Sequence, residues 1–348
     1  MRPKTGVLLI NLGTPDSPSV PDVRKYLFEF LNDPRVIDLP WLLRKFLVNV
    51  IIVPFRAPKS AKIYQQLWAA QSDRKEQTGK HGSPLLIYGE SIKEKLQKAL
   101  GQDFDVELAM RYQSPGMDGV LERMRKKQHQ SIILLPLFPQ YASATTGSVI
   151  EKAMKIISKW WVIPEIKIVG QFYDDENFIN SFAERARQFN LNEFDHVLFS
   201  YHGLPLRQVD KVYIDGKPCS DHNCENEITE ENKFCYKAAC YATTRLLAGK
   251  LNIPKENYSV CFQSRLDKNW LEPSTDKVII QKAKLGAKRL LVFSPAFVAD
   301  CLETTVEIGI EYQKLFEEHG GKKIQLVESL NDHPMWIETL KELVLKNI

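Results

Sequence analysis

The chain has 348 residues, 44% of them hydrophobic and 26% charged, an ordinary globular composition with length enough for two domains. The formal net charge is only +4, and Lys and Arg are interspersed with Asp and Glu, which excludes the basic footprint of a nucleic-acid binder. No stretch reaches the ~20 apolar residues of a membrane span.

The N-terminal segment MRPKTGVLLINLGTP ends in a turn and has no small-residue cleavage site, so GVLLIN reads as a first strand and not as a signal peptide. Asn11 and Leu12 lie at its end. A helix is expected over Pro21 to Leu31. VIDLPWLLRKFLVNVIIVPF, Val36 to Phe55, is the most apolar run, but Arg44, Lys45 and two prolines interrupt it. Trp41 to Phe55 is therefore either an interfacial lip at a membrane surface or a buried helix. Arg56 and Lys59 in PFRAPKSAK read as surface charges or as clamps for carboxylates. Ala61 to Ala70 reads as helix, and DVELAM as a strand that delivers Arg111 and Tyr112 to its end. After a helix over Met117 to Lys127, the strand SIILLPL is followed by PQYASATTGS. Tyr141 stands there beyond the strand, where it suits the wall of a large, flat, apolar ligand better than a core. IKIVG reads as the fourth strand.

The second half opens with a helix over Asp175 to Phe189 and the strand HVLFSY. This strand ends in SYHGLP, where Gly203 and Pro205 stop it directly after His202. His202 is either a loop histidine bonded to a carbonyl or an imidazole that the strand presents, able to take a proton or bind a metal. Four of the six cysteines follow in one window, Cys219-x4-Cys224-x10-Cys235-x4-Cys240. The absence of a signal peptide points to the reducing cytosol, so clustered thiols suggest a metal group before disulfides. Spacing alone divides iron–sulfur and structural zinc evenly, with His222 a spare ligand between the cysteines. The last expected helices cover Lys233 to Leu251 and Glu303 to Glu318. The strands YSVCF, RLLVFS and IQLVE bring Gln263-Ser264 and Phe297 to strand ends, and Trp270 follows the first of them. In DCLETTVEIGIEY, Glu303, Glu307 and Glu311 are spaced by four and form one acidic row on a helix. That row is either a solvated face or a path for a cation or protons. Asp300, just before it, is expected to cap the helix.

Strand–helix alternation predicts an α/β fold with two four-stranded parallel sheets, helices on both faces. The halves echo each other: LINLGTP with FSYHGLP, and LLPLFPQYASATT with LLVFSPAFVADCLETT, at matching strands. Domains are expected at 1–170 plus 331–348, and at 171–330 with a cysteine-rich loop at 217–241. Ligands of parallel sheets bind beyond the carboxyl ends of the strands, so a cleft between the domains is expected to gather these residues.

NLGTP, DVRKYLFEFLNDPRVIDLP, RYQSP, PQYASATTGS, SYHGLP, FQSR and ADCLETTVEIGIEY, in this order, resemble the ferrochelatase family along nearly the whole chain. The resemblance implies two Rossmann-like domains that bind a porphyrin and insert ferrous iron, the last step of haem biosynthesis. His202 matches the catalytic histidine and Glu303 the opposing carboxylate, both facing the substrate iron. Glu307 and Glu311 match an acidic path and Asp300 an acid behind it. Arg56, Lys59 and Ser264 match positions that hold propionates in the animal enzymes. Asn11, Leu12, Arg111, Tyr112, Trp270 and Phe297 match cleft-lining positions. Cys301 stands where animal enzymes have histidine. Ser143 replaces one of their cluster cysteines, and the C-terminus has none, so the animal-type cluster cannot form. The internal Cys219, Cys224, Cys235 and Cys240 resemble the loop of some bacterial members, which implies a 2Fe-2S cluster, with structural zinc as the alternative. Leu12, where some coproporphyrin-using members have tyrosine, implies protoporphyrin IX. The rivals are a coproporphyrin or cobalt chelatase and, in another class, a non-catalytic porphyrin or haem binder with structural zinc. The expected setting is cytoplasmic, with peripheral membrane contact at the apolar lip.

Overall fold

The structure is a computed structural model that describes residues 5–70, 82–265 and 267–348. The first residues of the N-terminal segment, 1–4, lie outside the described residues. Two compact units divide the chain, one of Met1–Phe138, Ser143–Gly170 and Asn331–Ile348, the other of Pro139–Ala142 and Gln171–Leu330.

Each unit holds one four-stranded, all-parallel sheet, as the alternation predicted. In the first unit β1 (Thr5–Gly13), β2 (Phe104–Tyr112), β3 (Ser131–Pro136) and β4 (Glu165–Ile168) lie in the order β2-β1-β3-β4. In the second, β5 (His196–His202), β6 (Tyr258–Gln263), β7 (Arg289–Phe293) and β8 (Lys323–Leu326) repeat that order as β6-β5-β7-β8. Central strands of such sheets are covered on both faces and need continuous apolar runs. Val7, Leu8, Leu9 and Ile10 of β1 are accordingly fully buried. Leu8, Ile10 and Leu134 pack against Val120, Met124, Val149 and Ile157 from helices Met117–Lys127 and Ser148–Ile157. In the second unit Leu198 and Val292 pack against Ile279 and Phe316.

β1 ends at Gly13, which pairs with Tyr112 at φ 113°, and an added Cβ would come 2.1 Å from the Tyr112 carbonyl oxygen. Both the conformation and the space demand glycine. Gly13→Ala is expected to cost at least about 3 kcal/mol, read as a fall in the urea midpoint without a change in slope.

Two helices that the sequence reading did not single out complete the first unit. Pro84–Leu100 starts at Ser83, whose hydroxyl caps the Leu86 amide, with Pro84 at the first helical turn. Its interior Gly89, a position that lowers helix propensity, allows close approach to Leu108: a Cβ there would lie 2.9 Å from that side chain. The last helix, Pro334–Leu345, returns to the first unit, and Asp332 just before it binds Ser91 and Lys95 at 2.6 and 2.5 Å.

The run Trp41–Phe55 is helical, but it is not a buried helix. It comprises Trp41–Phe46, a wide π turn at Leu47–Ile52, and the start of Val53–Ala69. Trp41, Leu42 and Phe55 are 62%, 74% and 75% exposed, whereas the charged Arg44 is buried and donates to the Leu39 carbonyl at 2.7 Å. The usual inside–outside preference is inverted in Trp41–Phe46, whereas Val48 and Val53 farther along are buried. Among the described residues no helix is long and apolar enough to cross a membrane.

Candidate active site

His202 is the last residue of β5, paired with Gln263 of β6. The next amide, of Gly203, donates to the Gln263 carbonyl at 2.8 Å, and a Cβ on Gly203 would come 2.9 Å from that oxygen. Glycine therefore lets the chain leave the sheet at once and strands the imidazole at the edge. His202 Nδ1 lies 2.7 Å from the Gly203 carbonyl oxygen. A carbonyl only accepts, so Nδ1 carries the hydrogen and Nε2 is left as the acceptor. The His202 carbonyl receives the Tyr236 hydroxyl at 3.0 Å. Phe297, half-buried beyond β7, sets its ring 6.3 Å from the imidazole. Trp270 bridges to Pro205, and the Leu271 amide donates to the Leu204 carbonyl, which stitches this segment to the loop after His202.

β7 neighbours β5, and the chain beyond it leads into a π-helix, Glu303–Tyr312. In this wider winding four residues fall just short of a turn, so the row Glu303, Glu307 and Glu311 persists with the opposite drift. Its members have different surroundings. Glu307 accepts four hydrogen bonds, from Gln263 Nε2 (3.0 Å), the Ser264 amide (2.8 Å), the Ser264 hydroxyl (2.5 Å) and the Tyr312 hydroxyl (2.8 Å). Ser264, at φ 59°, holds a left-handed conformation that is strained for serine. Glu303 lies against the thiol of Cys301, whose pKa burial pushes well up, with the Glu303 charge adding to it. Glu311 is exposed, yet local desolvation and then the Glu307 charge raise its carboxyl above the ordinary value. The cap position of this helix is Leu302, not Asp300. Its carboxylate accepts the Ser329 amide at 3.4 Å, while Thr304 binds both the amide and the carbonyl of Cys301.

In the first unit Asn11 is buried and its side-chain oxygen accepts the Leu12 amide at 2.8 Å, with Leu12 half-buried beside it. Arg111 is not an unopposed cation. It pairs with buried Asp33 at 2.5 Å and donates to Ser148 at 2.7 Å. The same Asp33 oxygen accepts Tyr112 at 2.9 Å and Ser148 at 2.5 Å. Tyr112 is fully buried, and burial and then the Asp33 charge push its phenol far up. It acts as a wall behind Arg111, under the guanidinium at 4.7 Å. Arg56 and Lys59 are exposed one turn apart on helix Val53–Ala69. Tyr141 groups with the second unit, half-buried and edge-on to Phe234.

Among the described residues one group of potential metal ligands stands out, the buried thiols of Cys219, Cys224 and Cys235. Their sulfurs are 3.5, 3.5 and 3.8 Å apart. Hydrogen bonds from Cys219 and then Cys224 hold the Cys235 thiol pKa down, and those two are raised in turn. The donor set fits a thiolate-held group: sulfurs ~2.3 Å from one metal sit ~3.8 Å apart at tetrahedral corners. Cys240, buried on helix Tyr236–Lys250, is not in the group of three and lies against the Tyr236 hydroxyl. His222 is not a member either. It stacks on Tyr213 at 3.8 Å, and Tyr213 in turn sets its hydroxyl 2.8 Å from the Cys224 sulfur.

The protein-family profile described as ferrochelatase matches residues 4–348. A ferrochelatase of Coxiella burnetii is 43% identical over 348 residues, covering 99% of this chain and 94% of the relative. A ferrochelatase of Legionella pneumophila is 41% identical over 346 residues, covering 99% and 100%. The chain belongs to the ferrochelatase family. Solved structures agree on the fold. SirB from Bacillus subtilis with Fe3+ aligns at TM-score 0.54 and 12% identity over 99% of this chain and 95% of that one. The sirohydrochlorin chelatase SirB from Bacillus subtilis subspecies spizizenii in complex with cobalt aligns at 0.52 and 12%, over 99% and 94%.

For a ferrochelatase-family chain, sequence reasoning missed two residues that organise the site, Asp33 and Tyr312, and gave Gln263 a place at a strand end without its role. Asp33 sits in a turn with no period to reveal it. Tyr312 is five residues after Glu307, a spacing that shares a face only on a π-helix. Gln263 joins β5 to the acidic helix, since it accepts from Ser200 at 2.7 Å and donates to the Glu303 carbonyl at 3.1 Å.

Proposed function

We propose that the chain inserts ferrous iron into protoporphyrin IX and releases two protons, as a lyase-class metal chelatase that forms protohaem. The observation that carries this reading is His202 at the end of β5, its Nδ1 committed to the Gly203 carbonyl and its Nε2 left as an acceptor, in a chain of the ferrochelatase family. The reaction breaks two pyrrole N–H bonds and forms four Fe–N bonds, with no change in oxidation state. His202 Nε2 takes a pyrrole proton as general base. Glu303 serves as the second carboxylate at the incoming iron, and Glu311 and Asp300 carry charge away from it. Trp270, bridged to Pro205, and Phe297, beside the imidazole, line the macrocycle, and its binding energy sustains the distortion. The exposed Trp41, Leu42 and Phe55 suit docking on a lipid surface, from which an apolar porphyrin loads.

Cys219, Cys224, Cys235 and Cys240 would hold a 2Fe-2S cluster, which supplies one-electron chemistry and a covalent tie between the loop and its helix. The convergence of three sulfurs on one point favours a second reading, a single zinc ion. Purified protein is expected to turn over protoporphyrin IX with Fe2+ faster than coproporphyrin or Co2+. A porphyrin that binds without metal incorporation overturns the enzymatic reading. A brown, reducible chromophore identifies the cluster, and a colourless protein with one zinc per chain identifies the rival.

A further inference from the structure

The cysteine loop and the strand that carries His202 meet at one side chain. Cys235, a member of the three-sulfur group, is the N-cap of helix Tyr236–Lys250, and its carbonyl accepts the Ala239 amide at 3.0 Å. The next residue, Tyr236, is buried. Its hydroxyl donates to the His202 carbonyl at 3.0 Å and lies in hydrogen-bonding contact with the Cys240 thiol. The phenol donates its one proton to the His202 carbonyl, and its oxygen is left as an acceptor beside the Cys240 thiol. A second bond, between the Tyr201 and Thr244 hydroxyls at 2.8 Å, fixes the same helix to β5 one turn beyond Cys240. The start of the helix is thus tied on one side to the sulfurs and on the other to the backbone of the imidazole-bearing residue.

We propose that Tyr236 is a positioning residue that sets the orientation of His202 and couples it to occupancy of the cysteine site. This rests on the reading of His202 as the proton acceptor and of the thiols as a metal site. A change at Cys235 or Cys240 moves the start of the helix, Tyr236 moves with it, and the His202 carbonyl responds. The Gly203 carbonyl that anchors Nδ1 is the next peptide along, so the ring follows. Coupling through a shared group shows itself as non-additivity, whereas two independent structural defects add.

The test uses the full chain as purified, with Tyr236→Phe and Thr244→Val. Tyr236→Phe is expected to keep its metal content and its KM for porphyrin and to lose about fivefold in kcat, the effect of one lost hydrogen bond to a buried carbonyl. Thr244→Val, which also loosens the helix, is expected to lower Tm and leave kcat within about twofold. Chelation of the metal from the wild type is expected to move the ring 15N resonances of His202, assigned among the seven histidines through His202→Ala, and to move them far less in Tyr236→Phe. Equal responses of His202 in wild type and Tyr236→Phe overturn the proposal, as does an unchanged kcat in Tyr236→Phe. A His202→Ala enzyme of near-normal rate overturns the reading beneath it instead, and the resonance arm still judges the link to Tyr236.

Discussion

Replacing His202 by alanine is expected to slow iron insertion by about 10²–10⁴-fold, the range for loss of a positioned general base. Porphyrin affinity, followed by fluorescence quenching, is expected to stay within about threefold, because only the edge of the macrocycle site changes. The argument is geometric. The Gly203 carbonyl at 2.7 Å from Nδ1 fixes both the tautomer and the ring plane, and the chain leaves the sheet at Gly203, directly after the imidazole. Slow insertion by His202→Ala that glutamine at this position fails to restore, while porphyrin still binds, supports a proton-accepting role over a purely steric one. A near-normal rate would remove His202 from the mechanism.

Glu307→Ala is expected to cost stability as well as rate, roughly 2–4 kcal/mol, because it leaves donors that bonded a charged group unpaired. The groups that lose this partner are one N–H of Gln263 Nε2, the Ser264 amide and hydroxyl, and the Tyr312 hydroxyl. The left-handed turn at Ser264 also loses what holds it. Glu307→Gln keeps the shape but presents an amide nitrogen to donors, and its Tm is expected to fall between wild type and Glu307→Ala. If Glu307 were a relay with no holding role, both variants would lose rate at unchanged Tm, so thermal unfolding beside a rate assay separates the two. The acidic row is then not three equivalent stations. Glu303 and Glu311 stand outside this clamp, and Glu307 is the residue that ties the end of β6 to the π-helix.

Much of this was legible beforehand. The eight strands are runs of β-branched and aliphatic residues bounded by turns, and a sheet covered on both faces requires runs of that kind. Helix starts at Ser19 and Asp175 follow capping chemistry that is written locally. What was less legible is instructive. The helix Pro84–Leu100 contains a glycine that reads as a weak point until Leu108 is seen packed on it. Asp300 precedes an acidic helix and so reads as its cap, but the cap position is Leu302, and the Asp300 carboxylate accepts the amide of distant Ser329. Trp41–Phe55 is apolar enough to read as core, yet Arg44 takes the inward position because its guanidinium satisfies carbonyls at the preceding turn.

By itself the sequence determined the elements, their alternation into two parallel sheets, the delivery of His202 to a strand end and the family to which the chain belongs, since periodicity, turn chemistry and motif order are properties of neighbouring residues. Only the tertiary structure decided which charges are neutralised and which groups are shared. Arg111 meets Asp33 across 78 residues and Ser264 meets Glu307 across 43. Three sulfurs converge while Cys240 turns to Tyr236. The reason is physical: hydrogen-bond partners and burial are set by distance in space, and residues far apart along the chain carry no mark of the partners that folding gives them.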